Sequence, residues 1–157
     1  MDAGTMQEIE QYLDEFWQDR LASTTGISLK DGKEDRSFPK SAISDISDLQ
    51  IGTEGYFAKE IGIEGDEGNI LFVPCSLTLY DVQVTGDDGR TENVTYEDMA
   101  GVFRLTNLLM EEDGTLVFDE YVDFYGFYGT WEQLAEDWIE PLENRYRIEA
   151  VDLEITE

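Results

Sequence analysis

The chain has 157 residues, of which 41% are hydrophobic and 12% aromatic, and 37 Asp and Glu against 10 Lys and Arg give it a formal net charge of -27 without any histidine. The apolar fraction excludes a disordered acidic tail, and the length suits one domain, which we place at residues 1–157. The lack of histidine excludes imidazole catalysis, and the charge opposes direct binding to nucleic acid or to an anionic membrane surface.

The first predicted element is an amphipathic helix from Thr5 to about Ala22. Thr5 followed by Glu8 matches a capping box, and Gly26 is a suitable stop. Such a helix buries one side and exposes the other. The apolar side, with spacings of three and four, consists of Ile9, Tyr12, Leu13, Phe16, Trp17 and Leu21. The acidic side consists of Glu8, Glu10, Asp14, Glu15 and Asp19.

Two segments after this helix carry weaker patterns. Residues 24–40 are predicted as a loop with one short strand near residues 27–29. Residues 41–49 are predicted as a short helix that begins at Ser41, because the apolar positions Ile43, Ile46 and Leu49 are three residues apart.

The middle of the chain predicts an antiparallel sheet built from hairpins. Alternating apolar runs are separated by short acidic segments rich in Gly, Asp and Asn, which favour turns. The predicted strand pairs are 56–63 with 70–74, 77–84 with 94–96, and 102–110 with 115–125. The loops between them are 64–69, 87–90 and 111–114.

A second helix is predicted after Thr130, which forms a cap with Gln133. Pro141 removes a backbone hydrogen bond, so we expect a kink or break near residues 138–140. A last strand, residues 148–155, alternates apolar and charged side chains. The predicted fold class is therefore α+β, a single domain with a curved antiparallel sheet of about five to seven strands, an N-terminal amphipathic helix and a kinked C-terminal helix.

Cys75, the one cysteine, lies in an apolar run and is predicted to be a small buried side chain without a nucleophilic role. A chain without a possible internal disulfide fits a reducing compartment. Residues 1–4 include neither the basic nor the apolar region of a signal peptide, and no apolar stretch has the length of a membrane span. We therefore expect a cytoplasmic protein.

Catalytic and metal-binding motifs are not recognisable. The acidic loops do not reproduce the ligand spacing of a calcium-binding EF-hand, and the glycines of residues 125–129 lie among aromatic residues rather than in a phosphate-binding loop. We predict no catalytic residue, no metal site and no cofactor, and hence a binding protein rather than an enzyme.

The aromatic residues within 124–128 allow two interpretations. The segment contains four aromatic residues, and two of them are predicted to close the core beneath the final helix. The four are Phe124, Tyr125, Phe127 and Tyr128. The alternative is that they are exposed anchors for a partner, since aromatic residues are enriched in interface hot spots. Tyr125 and Tyr128 are the candidate anchors.

The charge itself has three explanations: solvation of a halophilic protein, an immunity or antitoxin protein that covers a basic toxin, and nucleic-acid mimicry. Duplex DNA carries one charge per roughly 1.7 Å, so a charge of -27 corresponds to about 13 base pairs. We favour an acidic inhibitor of a basic nucleic-acid-binding protein, encoded by a phage or mobile element and directed against a host restriction or CRISPR-type nuclease. The oligomeric state is left open.

The predicted partner-binding residues are mostly acids on the two helices and at the hairpins. They are Glu10, Asp14, Glu15, Asp19, Glu111, Glu112, Asp113, Asp119, Glu120, Asp123, Tyr125, Tyr128, Glu132, Glu136, Asp137, Glu140 and Glu143.

Overall fold

The computed structural model describes residues 3–31, 34–61, 70–106, 109–110, 116–117 and 122–152. The helices are α1 (Ala3–Ser23) and α2 (Trp131–Trp138), and Lys40–Ala42 and Glu140–Leu142 form 3-10 turns. The strands are β1 (Gly26–Asp31), β2 (Glu34–Pro39), β3 (Asp45–Ile46), β4 (Gln50–Ile51), β5 (Glu54–Glu60), β6 (Ile70–Thr85), β7 (Thr91–Thr106), β8 (Leu109–Met110), β9 (Leu116–Val117), β10 (Val122–Tyr128) and β11 (Tyr146–Asp152).

Within these ranges nine strands form one sheet in the order β11-β5-β6-β7-β10-β1-β2, with β3 and β4 also paired to β6. β8 and β9 form a separate pair. The pairings are antiparallel except for β1 and β10, which are parallel at Lys30 and Tyr128. The predicted fold class is confirmed, and the sheet has more strands than the predicted five to seven.

Over the ranges that the structure describes, the sheet is curved and open, with β11 at one end and β2 at the other. β6 and β7 shift register between Leu77 and Val82, and such irregularities bend a strand pair. Phe38 of β2 packs on Tyr96 of β7 with ring centroids 5.4 Å apart, although β10 and β1 lie between those strands in the sheet. The end of the sheet therefore curls back over the side that faces α1.

One core lies on each side of the sheet. On the α1 side, Ile9 and Leu13 are fully buried with Phe103, and Trp17 is nearly so, which confirms the predicted apolar side of the helix. On the α2 side, Leu134 packs with Phe72 and Tyr128. Burial of these apolar side chains on both sides is the main stabilising term, and it offsets the mutual repulsion of the surface carboxylates.

The predicted start of the first helix is wrong, whereas its predicted end near Ala22 is within one residue of the observed end. α1 begins at Ala3, so Thr5 lies inside the helix rather than at its cap. The helix ends at Ser23, where the Thr24 amide donates to the carbonyl of Arg20 at 3.0 Å, and Gly26 already belongs to β1. A capping-box pattern is a local signal, and here Ala3 and Gly4 extend the helix beyond it.

Residues 24–40, predicted as a loop with one short strand near residues 27–29, form a hairpin of β1 with β2: the short strand is β1, and β2 was not predicted. Ile27, Leu29 and Phe38 are buried in the α1-side core, whereas the Ser28 and Ser37 hydroxyls lie 3.0 Å apart on the exposed side. β2 has Phe38 as its one large apolar residue among charged and polar ones, so its sequence does not show the alternating pattern of a strand. Its apolar contacts come from elements distant in the sequence.

The predicted short helix at 41–49 is also wrong. The Lys40–Ala42 turn leads into β3 and β4, which pair with the edge of β6. The amide of Ser44 donates to the carbonyl of Tyr80, and that of Ser47 to the carbonyl of Thr78. The edge of β6 satisfies the backbone groups that a helix would have satisfied internally.

All three predicted hairpins have paired strands within the described residues, and the turn itself is described for one of them. β6 and β7 are joined by a tight turn in which Gly89 has a φ of +78° and the Arg90 amide donates to the Asp88 carboxylate at 3.0 Å. β8 pairs with β9 as predicted, whereas their loop at 111–114 lies outside the described residues. β5 pairs with β6 as predicted, and the loop at 64–69 is likewise outside them.

The C-terminal pattern is confirmed. The Thr130 hydroxyl accepts from the Gln133 amide, α2 ends at Trp138, and Pro141 lies in the following 3-10 turn. β11 then pairs with β5, and residues 153–157 lie outside the described part of the chain. Cys75 is buried as predicted, and burial raises the pKa of its thiol, which opposes thiolate chemistry.

Replacement of the cap residue gives a direct test of α2. We expect Thr130→Ala to lower the free energy of unfolding by about 1 kcal/mol, because the Gln133 amide loses its acceptor. Urea unfolding measures the change. Thr130→Ser keeps the hydroxyl and is expected to retain most of the stability; equal losses in the two variants would contradict the capping role.

Candidate partner-binding surface

The acidic side chains lie at the surface. Every Asp or Glu whose exposure is described is either exposed or half-buried. No such acid lies in either apolar core within the described ranges. The charge is therefore available to solvent and to a partner, and the fold holds much of it on helices and paired strands.

The predicted acids of α1 lie on its outer side. Asp14, Glu15 and Asp19 are exposed and Glu10 is half-buried. Glu10 and Asp14, and likewise Glu15 and Asp19, are one turn apart, which separates such side chains by roughly 5–6 Å. Phe16 and Trp17 fix this helix by packing on Phe103 and Phe124.

The predicted acids of α2 lie on the other side of the sheet. Leu134 and Ile139 anchor this segment in the core. α2 and the turns that follow it carry five exposed carboxylates, and we define the α2 acidic surface as the four other than Asp137: Glu132, Glu136, Glu140 and Glu143. Because α1 and α2 cover opposite sides of the sheet, a flat partner surface contacts one acidic helix at a time.

The helix that carries Glu132 and Glu136 ends in an exposed aromatic side chain. Trp138, the last residue of α2, is 40% exposed. Its ring stacks on that of Tyr125, with centroids 4.2 Å apart and an angle of 12° between the planes. A stacked ring is held in one orientation, so Trp138 offers a partner a pre-ordered apolar contact.

Of the predicted acids that the structure describes, Asp137 is the one whose carboxylate has hydrogen-bonding partners within the protein. Its Oδ2 atom lies 2.9 Å from Lys30 Nζ and accepts a hydrogen bond from the Tyr128 hydroxyl at 2.9 Å. Trp138 Nε1 in turn donates to the Tyr128 hydroxyl at 2.7 Å. This network ties β1, β10 and α2 together and positions Trp138.

Lys30 and Trp138 were not among the predicted site residues. Lys30 is 107 positions from Asp137 in the sequence, and no local pattern links them. Trp138 belongs to the apolar side of α2 by spacing. The one signal that could have identified it is Pro141, because a helix that ends near residue 138 leaves its last apolar side chain at the rim of the core.

The aromatic residues of β10 are divided between the two sides of the sheet. Phe124 and Phe127 pack on Trp17, with ring centroids 5.6 Å away in each case. Tyr125 and Tyr128 face α2. Phe127 and Tyr128 are 4% and 7% exposed, so two of the four close the core as predicted, although only Tyr128 does so beneath α2. A partner would reach Trp138 and the half-buried Tyr125 before Tyr128.

The remaining predicted contacts are divided between described and undescribed parts of the chain. Asp123 is half-buried on β10, directly opposite Arg104 of β7. The others lie outside the described residues: Glu111, Glu112, Asp113, Asp119 and Glu120.

The Asp137 network predicts a pH dependence of stability. The bond from Lys30, followed by that from Tyr128, lowers the pKa of the Asp137 carboxyl, and the bond to Asp137 raises the pKa of Lys30. The folded state thus favours the charged pair. Its stabilisation is complete above the unfolded pKa of Asp and is lost as the pH falls through the lowered folded value.

We therefore expect Asp137→Asn to destabilise the protein at neutral pH and to differ less and less from the wild type as the pH falls below about 4. Urea unfolding over a pH series measures this difference. Glu136→Gln removes the neighbouring exposed carboxylate and serves as the control. A destabilisation by Asp137→Asn that stays constant down to about pH 3 would contradict the proposed pair.

Comparisons with models of protein families, with curated proteins and with solved structures found no match to this chain. Among the described residues, no helix combines the length and apolarity that crossing a bilayer requires.

Proposed function

We propose that the protein is an acidic inhibitor that binds a basic nucleic-acid-binding protein and occupies the site where nucleic acid would lie. The observation that carries this proposal is the placement of exposed carboxylates on helices that are anchored in a packed core. Fixed charges keep their spacing when a partner approaches, whereas charges on a disordered tail lose conformational entropy on binding.

The α2 acidic surface is the better candidate for the primary contact. The segment of α2 and its following turns has four exposed carboxylates and the exposed ring of Trp138. The predicted contacts on α1 are all carboxylates, without an aromatic residue. Charged groups steer and orient a partner, and a buried aromatic anchor contributes more of the affinity. Trp138 is therefore the proposed anchor, at the C-terminal end of the helix that carries Glu132 and Glu136.

The spacing of the carboxylates supports mimicry of a phosphate backbone. Glu132 and Glu136 are one helical turn apart, a separation of roughly 5–6 Å, which is comparable to the distance between neighbouring phosphates along a strand. Basic channels that bind phosphates sequence-independently would bind such a row through the same Lys and Arg side chains. The proposed mechanism is therefore direct competition with DNA or RNA.

The proposed setting is the cytoplasm of a host cell, where a phage or mobile-element protein would meet a restriction or CRISPR-type nuclease. An immunity protein that neutralises a basic toxin would use the same charge complementarity. The two differ in the partner: a nuclease of the host defence in one case, and a toxin encoded beside its inhibitor in the other.

Capture from a host cell extract tests the proposal. Immobilised protein is expected to retain basic nucleic-acid-binding proteins, to release them as the salt concentration rises, and to lose them when duplex DNA is added as competitor. Mass spectrometry identifies the captured proteins. A captured partner that stays bound while it also holds DNA would contradict competition at the nucleic-acid site.

One observation favours a second explanation of the charge, namely that it solvates a halophilic protein. Exposed carboxylates lie on both sides of the sheet and at the β6–β7 turn, which is the distribution that solvation in strong salt would require. Thermal melts across salt concentration distinguish the two. Our proposal predicts a folded protein at low salt with a modest rise in Tm as repulsion is screened, and unfolding at low salt would instead indicate a halophilic protein.

A further inference from the structure

β11 is an edge strand of the main sheet. Its seven residues pair with β5 in continuous register, from Tyr146 opposite Glu60 to Asp152 opposite Glu54. No other strand in the described part of the chain pairs with its outer side. An edge of this kind presents unpaired backbone groups to any strand that can lie beside it.

The hydrogen-bond pattern shows which backbone groups point outward. The Ile61 amide donates to the carbonyl of Arg145 at 2.8 Å, so residues 145 and 61 form a hydrogen-bonded pair. Hydrogen-bonded and non-hydrogen-bonded pairs alternate along an antiparallel ladder. The amide and carbonyl groups of Tyr146, Ile148 and Ala150 therefore point away from β5.

β11 lacks the protection that the opposite edge has. β2 carries Pro39 and the charged residues Glu34 and Asp35, which discourage further pairing. In β11 the residues with outward backbone groups are uncharged, the strand contains no proline, and its register with β5 is unbroken. Tyr146 and Ile148 are only half-buried and can bury more surface against another strand.

The charges of β11 would match those of a second β11 strand placed beside it in the antiparallel direction. Arg147 and Glu149 are exposed and lie two positions apart, on either side of Ile148. Arg147 also lies directly opposite Lys59 of β5, so two like charges are neighbours on that side of the sheet. A carboxylate from outside would relieve this repulsion.

We propose that β11 pairs with β11 of a second copy of the chain, antiparallel and about a two-fold axis at Ile148. This register places Arg147 opposite Glu149 of the partner subunit, and the symmetry repeats the pair. The pairs fall at non-hydrogen-bonded positions, where opposite side chains are closest. An axis at Arg147 or at Glu149 would instead oppose two like charges.

The main chain and the symmetry both fit this arrangement. Ile148 would exchange hydrogen bonds with its counterpart, and Tyr146 with Ala150 of the partner subunit, which satisfies the outward groups of all three positions. An isologous contact uses the edge of both copies, so assembly ends at the dimer. The sheet would then continue across the two-fold axis.

Sedimentation velocity at moderate salt, which screens the repulsion between two acidic copies, tests the dimer. The monomer has a mass of 17.9 kDa. We expect the sedimenting mass of the wild type to rise to twice that value as its concentration increases. Arg147→Glu and Glu149→Arg each replace both ion pairs by like-charge pairs and should weaken association roughly tenfold or more. The double variant R147E/E149R restores opposite charges and should dimerise like the wild type.

Arg90→Glu is the matched control, because it changes the net charge as much as Arg147→Glu does but lies at the exposed β6–β7 turn. It should leave the dimer intact. Amide exchange gives a second readout: the Ile148 amide should become protected as the concentration rises, whereas the Arg147 amide is already protected by β5. A wild type that stays monomeric at its highest soluble concentration, or a double variant as weak as the single ones, would overturn the proposal.

Discussion

Replacement of Phe103 by alanine is expected to lower the free energy of unfolding by about 3–5 kcal/mol. Phe103 is fully buried on the α1 side of the sheet. Its ring meets Phe16 at 6.1 Å and Phe124 at 5.0 Å between centroids, so its removal leaves a cavity between α1, β7 and β10. A loss of this size is a large part of the stability of a typical domain, about 5–15 kcal/mol.

Urea unfolding followed by circular dichroism measures this loss. Tyr80→Ala is the control, since Tyr80 is 41% exposed and its removal should cost less than about 1 kcal/mol. Screening of the surface repulsion by salt should restore part of the stability of Phe103→Ala, because repulsion and core packing act on the same equilibrium. Equal losses in the two variants would contradict the position of Phe103 in the core.

The second large effect concerns the partner. Neutralisation of Glu132, Glu136 and Glu140 by glutamine is expected to weaken binding of the captured basic protein about 10- to 100-fold, because three ion pairs of roughly 0.5–1 kcal/mol each are removed. The slope of affinity against salt should also become shallower, since fewer charges take part.

The matched control neutralises Asp14, Glu15 and Asp19 on α1, which changes the net charge by the same amount on the opposite side of the sheet. Surface plasmon resonance compares the two triple variants with the wild type. Our proposal predicts that only the α2 triple variant loses most of its affinity. Equal losses would indicate that the partner responds to net charge alone and would contradict the assignment of the α2 acidic surface.

The sequence predicts those features that depend on neighbouring residues. The apolar spacing of α1 identified Ile9 and Leu13 as core residues, and Thr130 and Pro141 marked the start and the break of the C-terminal helix. In each case the determining contacts lie within a few residues. The acidic outer sides of both helices followed from the same periodicity.

Features that depend on distant residues were not predictable in this way. The β1–β2 hairpin is held by contacts of Leu29 and Phe38 with the α1-side core, and β3 and β4 form because the edge of β6 accepts them. The bond between Lys30 and Asp137 joins residues 107 positions apart. The contacts of the hairpin also depend on the curvature of the sheet, which brings β2 back toward β7.

The central claim is that the α2 acidic surface and nucleic acid compete for one basic site, and displacement of a fluorescent DNA duplex from the captured partner tests it most directly. The claim predicts that fluorescence anisotropy falls to the value of free duplex as the protein is added, and that the α2 triple variant requires about 10- to 100-fold more protein than the α1 triple variant. Anisotropy that stays at or above the value of the partner–duplex complex while the protein binds would mean that the protein, the partner and the DNA form a ternary complex, and would contradict the claim.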